Sequence, residues 1–447
     1  MAGFASSRPG WGDARPGYAW FFGRDACWCG DALLAAGLFT EARLTLEFLA
    51  HTADVTGKVA HEVTASGVAH YDAADATPLF LRYACAYAEW TGDVHTIRSL
   101  WPQIRAAVAF VRANGADRNG LPDNRGVGHG WIESGPLGGG SITSYTASIW
   151  IDALRRLQPL AARMGDEPLR RQLARLEGRA RRAFEGSLRD PITGLLYLQL
   201  GTDGTPVREL TALAAVPIAL GVDGHVSAQH ILARLGSDEF STPWGVRLIS
   251  RQDARYRPRG YHFGAVWPLF TGWTALAAYA RRDGALGWRL LLANARCAQL
   301  RSRGAFDEVL DGDTGAAAGV CADQAWSAAM LISPFIQGVV GMQPSALAAT
   351  CTIDPQWPAH WAGASLHGLR VGKSRFSLAM ESHRGRSAGG GMHRYAVRLD
   401  DGPPLSLRFG RGRAARTVTL EPGREVTVEQ RASRQPAAAG RGDDGTR

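Results

Sequence analysis

Between Gly304 and Ser327 the chain reads GAFDEVLDGDTGAAAGVCADQAWS, which sets five carboxylates, Asp307, Glu308, Asp311, Asp313 and Asp323, among glycines and small residues. A Gly-rich acidic stretch does not build a core. It reads as a loop that displays carboxylates at the mouth of the apolar run that follows it. A second such place is GWIESG at 130–135, where Glu133 follows Trp131. Two displayed carboxylates, each in a loop that also carries a Trp, are what acid–base cleavage of a glycosidic bond could use. An apolar neighbour such as Trp131 favours the protonated form of a carboxyl, which suits a general acid. The plain alternatives are a surface loop around Glu133 and half a calcium site at Asp311, Gly312 and Asp313, although the EF-hand ligand spacing is absent.

Other segments carry the groups that sugars need, bidentate hydrogen bonds to hydroxyls and aromatic faces for the apolar side of a ring. WFFGRD at 20–25 offers Trp20, Arg24 and Asp25, with a helix cap by Asp25 as the alternative. Asp75, in YDAADATP at 71–78, fits a helix cap and a substrate contact equally well. TPWGVRLIS at 242–250 and GYHFGAVWP at 260–268 follow, the second offering Tyr261, His262 and Trp267. Nothing near His262 pairs it with a Ser or Cys nucleophile, so no triad is read. Gln324 and Trp326 close the acidic loop.

The elements that must position these residues read as helices from Asp25 to about Met342. Apolar residues recur at three- and four-residue spacing over 26–38, 42–53, 75–91, 97–113, 144–164, 167–184, 210–220, 228–235, 264–280, 286–300 and 322–339, about eleven helices. Short connections alternate with long ones at 54–74, 114–143, 185–209, 236–263 and 301–321. Antiparallel hairpins joined by long loops at one end suggest a closed toroid, an (α/α)6 barrel with the long loops on one rim. No sequence self-similarity at fixed period marks a solenoid. After Met342, two-residue alternation in 366–371, 375–380, 395–399 and 405–409 reads as a small β-domain. The expected organisation is a lead-in at 1–19 that could be a truncated start, the helical domain at 20–342, the β-domain at 343–430 and a disordered Arg/Ala/Gly-rich tail at 431–447.

Composition bounds the rest. The formal charge of +9 is almost all arginine, since Lys58 and Lys373 are the only lysines. These arginines mix with acids on helical stretches, and no basic run is interleaved with aromatics, so nucleic-acid binding is not expected. No run of about 18 apolar residues crosses a membrane and the N-terminus has no charged-then-apolar signal pattern. Cys27, Cys29, Cys85, Cys297, Cys321 and Cys351 show no CxxC pairing, which is simplest as reduced, cytoplasmic thiols.

Taken in order, WFFGRD at 20–25, DATPL at 75–79, GWIE at 130–133, GVRLIS and GYHFGAVWP within 245–268, and FDEVLDGD with GVCADQAWS at 306–327 make the chain resemble the C-terminal glucosidase domain of glycogen-debranching enzymes (amylo-α-1,6-glucosidases), six-hairpin glycosidases related to glucoamylase. The resemblance covers about residues 18–340. It implies an (α/α)6 barrel and inverting hydrolysis of α-glucosidic bonds, such as α-1,6 branch stubs, with Glu133 as general acid and Glu308 as general base. It also implies that Arg24 and Asp25 hold the terminal glucose of an oligo- or polysaccharide, with no metal or organic cofactor. The acid position holds Glu where the family usually has Asp. PLGGGSITSYTAS at 136–148 replaces the family's usual rim sequence. The same scaffold could serve a sugar phosphorylase, an epimerase or a non-catalytic glycan-binding relative. The sequence sets no oligomeric state.

Overall fold

The structure, a computed structural model, describes residues 6–7, 11–12, 15–16, 18–128, 130–131, 137, 140–224, 226–300, 303–319, 321–383 and 392–431. Glu133 and the tail expected at 431–447, apart from Arg431, therefore lie outside the described residues.

Six helices form a closed ring. They are α1 (Gly23–Ala35), α3 (Ala76–Thr91), α7 (Ser144–Arg163), α9 (Ala215–Ala219), α11 (Pro268–Ala280) and α13 (Ala325–Ser333). Each packs on the next, and α13 returns to α1. A second layer lies outside, with α2 (Phe39–His51) on α1, α5 (Trp101–Val111) on α3, α8 (Glu167–Ser187) on α7, α10 (Val226–Gly236) against α9 and α11, and α12 (Gly284–Cys297) on α11. Among the described residues α13 has no such outer partner. This is the (α/α)6 toroid expected from the spacing.

The two layers differ in sequence for a physical reason. An outer helix needs one apolar stripe. In α8 this is Leu169, Leu173, Leu176, Ala180 and Phe184, with arginines and glutamates elsewhere. An inner helix is enclosed on all sides, so nearly every residue of α1 and α3 is buried, and close approaches demand glycine. A Cβ on Gly30 would sit 2.3 Å from the Tyr83 ring, and one on Gly272 would sit 2.4 Å from Met330. Helix ends differ from expectation at three places. The helix expected from 264 starts at Pro268, because Gly264 takes φ +137°, Trp267 is extended and proline suits a first turn. The helix expected over 97–113 is broken into α4 (Val94–Ser99), α5 and a π-turn. The one over 322–339 ends in a second π-turn at Pro334–Val339.

The long loops form one rim at the N-terminal ends of the inner helices. Strand β3 (Phe21–Phe22) pairs with β4 (Glu62–Val63), which pairs with β5 (Ala69–His70). Farther round, β6 (Gly140–Thr143) pairs with β7 (Gln199–Gly201). Single bridges Thr211–Ile249, Arg247–Val266 and Val266–Leu310 carry the stitching on to the acidic loop.

At the opposite end lie two four-stranded sheets. One runs in the order β11 (Met342–Ser345), β12 (Thr350–Ile353), β16 (Leu405–Phe409), β17 (Arg416–Leu420). The other runs β13 (Gly363–Val371), β14 (Ser374–His383), β15 (Met392–Asp401), β18 (Glu425–Arg431). The alternating runs of the sequence fall in β13 to β16. Strands β11, β12, β17 and β18 were not legible, being short or largely polar. The sheets share one continuous hydrophobic core with the helices. Gln356 donates to the Tyr279 carbonyl at 2.8 Å, and Arg282 pairs with Asp354 at 2.7 Å.

Candidate active site

The inner helices open on the rim with few side-chain caps. Among the N-caps at this end, Phe22, Asp75, Trp267 and Gln324 make no capping hydrogen bond. Free helix N-termini carry partial positive charge and unsatisfied N–H groups, which favours carboxylates and oxygen-rich ligands beside them.

Arg24, in the first turn of α1, makes a bidentate pair with Asp75, Nε to Oδ2 at 2.5 Å and Nη2 to Oδ1 at 2.9 Å. Both residues are buried. Burial by itself lowers an arginine pKa, but the charge and hydrogen bonds of Asp75 outweigh it and hold the guanidinium ionised. Asp75 thus stands at the start of α3 without capping it, its carboxylate turned to Arg24. Tyr145 donates to the same Asp75 Oδ2 at 3.1 Å and accepts from Trp28 Nε1 at 3.3 Å. Asp25 faces the other way and accepts from Gln324 Nε2 at 3.2 Å. Complete burial raises Asp25 to about 7, against the opposing pull of Arg24.

Trp131 ties these groups to the rest. Its ring lies under the Arg24 guanidinium, 5.2 Å from centroid to Cζ, and contacts Tyr145, Trp267, Phe270, Trp273 and Trp326 at centroid separations of 5.3 to 6.3 Å. Its backbone has φ +135°, a region that bulky residues rarely occupy and that clusters at functional sites.

At the same end of the ring, Tyr261 donates to Glu308 Oε1 at 2.6 Å. Burial first, then the Glu308 charge, pushes the Tyr261 phenol well above its ordinary value, so it remains a donor at neutral pH. Glu308 is only 1% exposed, and its backbone N–H is fixed to the Cys321 carbonyl at 3.0 Å. The loop beyond it is braced from within. Asp311 Oδ1 accepts from the amides of Asp313 and Thr314, and Arg247 Nε reaches the Gly312 carbonyl at 3.0 Å. Asp311 is therefore committed to its own turn rather than to a cation. No group of three His, Cys, Asp or Glu able to hold a metal occurs among the described residues.

Arg24, Asp25, Asp75, Trp131, Tyr261, Glu308 and Gln324 thus meet at one end of the ring. Trp326 is there through its contact with Trp131, and neither its Nε1 nor Gln324 Oε1 has a hydrogen-bond partner among the described residues. His262 packs on Tyr261 at 4.9 Å. Trp267 is fully buried and donates to the Tyr261 carbonyl at 3.0 Å, so it packs beneath the site. Trp20 donates to Glu62 at 2.7 Å, stacks on Phe22 and meets the Tyr18 ring edge-on at 6.4 Å. Sequence reasoning missed Tyr145, Trp28 and Trp273. Tyr145 was in view, inside the stretch that departs from the family pattern, but only the fold shows that it reaches Asp75.

A model of the mannosylglycerate hydrolase MGH1-like glycoside hydrolase domain matches residues 141–327, the segment that contains Tyr145, Tyr261 and Glu308. Among solved structures, the GH63 mannosylglycerate hydrolase of Thermus thermophilus in complex with glucose superposes with TM-score 0.60 at 16% identity, covering 74% of this chain and 95% of that one. A bacterial glucoamylase complexed with acarbose gives 0.58 at 17%, covering 75% and 52%. The GH78 rhamnosidase of Bacillus sp. GL1 gives 0.57 at 15%, covering 83% and 37%. No curated protein sequence matches the chain. These solved structures share the (α/α)6 fold with this chain, and residues 141–327 are similar to a glycoside hydrolase domain of the mannosylglycerate hydrolase MGH1-like type.

Proposed function

We propose that the protein is an inverting glycoside hydrolase that removes one α-linked hexose from the end of a small or branched saccharide, with Glu308 as general base and Glu133 as general acid. The observation that carries this reading is the Tyr261–Glu308 hydrogen bond. It holds a buried carboxylate at the same end of the ring as the Arg24–Asp75 pair, which is suited to grip vicinal hydroxyls. Inversion needs a water between base and sugar, and so a carboxyl separation of about 6.5–9.5 Å. Gln324 Oε1 and Trp326 Nε1 supply an acceptor and a donor for the sugar, which accounts for two buried polar atoms without partners.

Two substrates are favoured by different observations. The ordered motifs point to α-1,6-linked glucose of branched glucans. The MGH1-like segment points to a hexose on a small organic acid. Arg251, Arg255, Arg257 and Arg259 crowd the loop just before Tyr261, and such a basic rim suits an acidic aglycone. The test is hydrolysis of limit dextrin, isomaltose and mannosylglycerate, with the product anomer followed by NMR. Release of β-glucose from the glucans supports the first substrate, and release of β-mannose supports the second. Release of the α-anomer would reject inversion. A folded enzyme inert on all three would reject this substrate range.

A further inference from the structure

A large cavity lies away from the rim. It is a chamber of about 600 Å³ at the other end of the ring, between the C-terminal halves of the inner helices and the loops of the first sheet. That volume is in the range of small-molecule sites. Its floor is Trp28 and Trp273, the rings that part it from the Trp131 cluster.

Its walls are cationic. Arg82, Arg155, Arg408 and Arg411 face Asp31 and Asp354, with Asp152 paired behind Arg82 and Arg155, and with Arg411 paired to Asp354 at 2.5 Å, four positive groups against three negative ones. Arg82 is 7% exposed. It donates through Nη1 to Asp31 at 2.6 Å and lies with Nε 3.3 Å from Asp152, without hydrogen-bond geometry at that nitrogen. Two buried polar atoms on the lining, Trp273 Nε1 and Ser333 Oγ, have no hydrogen-bond partner among the described residues. A buried donor without an acceptor costs about 1–3 kcal/mol, and Trp273 Nε1 and Ser333 Oγ on one lining call for an oxygen-rich occupant. Water could fill the volume, but it would not answer the surplus positive charge.

We propose that this chamber is a second ligand site, separate from the hydrolytic one, for a small polyhydroxylated anion carrying a phosphate or a carboxylate. Arg155 and Arg408 stand at its mouth, and Arg82, Trp273 and Ser333 lie deeper.

Isothermal titration calorimetry of the full-length protein tests this, with glucose 6-phosphate, glucuronate, inorganic phosphate and glucose as probes. The site predicts saturable one-to-one binding of glucose 6-phosphate or glucuronate, and none of glucose at that site. It also predicts about a tenfold loss of affinity in R155Q/R408Q, equal to about 1.4 kcal/mol. Binding of inorganic phosphate alone would identify the oxyanion, rather than the sugar skeleton, as what is recognised. Absence of saturation by any anion up to ~10 mM, weaker than millimolar affinity, overturns the proposal, as does unchanged affinity in the double variant. If the double variant does not fold by circular dichroism, the exposed single change R408Q carries the same test, with about a threefold loss expected. None of these outcomes depends on whether the rim hydrolyses a glycoside.

Discussion

The two ends of the inner ring are built from the same six helices and carry opposite chemistry. At the N-terminal end stand buried carboxylates, Asp25, Asp75 and Glu308, with one buried arginine among them. At the C-terminal end arginines prevail: Arg82 and Arg155 on the helices, Arg408 and Arg411 on the sheet that roofs them. Each end thus holds side chains of the sign opposite to the partial charge of its helix termini. What differs most is commitment. The rim carboxylates are aimed by specific donors, Tyr261 on Glu308 and Arg24 with Tyr145 on Asp75. The far chamber keeps two donors, Trp273 Nε1 and Ser333 Oγ, without a partner among the described residues.

The sharpest way to break this contrast is E308Q. If the rim alone does the chemistry, turnover falls by about 10²–10⁴ while thermal stability is unchanged. An active E308Q enzyme would reject the assigned base. Next is D75N, which leaves Arg24 buried without its counter-charge. We expect a loss of about 3–5 kcal/mol in chemical denaturation, because removing one partner of a buried pair strands the other. A loss below about 1 kcal/mol would mean that water reaches the pair.

Y261F tests aim rather than identity. Losing one donor to a charged group costs about 1.5–3 kcal/mol, or roughly a tenfold to hundredfold fall in kcat, with KM nearly unchanged. A fall confined to KM would make Tyr261 a substrate contact instead. Asp25 supplies a pH test. Its folded pKa of about 7 lies above its ordinary 3.8. The unfolded chain therefore releases this proton first, and the native state is penalised increasingly as pH rises from about 4 to 7. D25N should remove that slope, so the variant gains stability relative to wild type across this window and stays ahead above it. Parallel melting curves for the two proteins would show Asp25 to be ionised in the fold. The smallest expected effect is that of R155Q/R408Q on hydrolysis, which should be none. A changed kcat there would show that the two ends communicate through Arg82, Trp28 and Tyr145.

Much of this molecule is local in origin. The 3.6-residue spacing of apolar residues and the alternation of short and long connections mark the hairpins, because each helix must bury a face whatever its neighbours are. The Gly-rich acidic loop and the aromatic segments mark the rim, although the loop's own apolar residues, Phe306, Val309 and Leu310, are buried there. The β-strands with alternating patterns were legible, like the helices, because each must bury a face. Strands of four or five residues such as β11 and β17 were not, since a short polar strand is specified by its partner. Only the closed ring decided the rest. It brings Asp25 to Gln324, 299 positions away, and turns Asp75 from capping its own helix to pairing with Arg24. It sinks Trp267 beneath the site and encloses a charged chamber that no motif announced. Burial, pairing and enclosure depend on which elements meet, and that is a property of the packed chain rather than of any stretch of it.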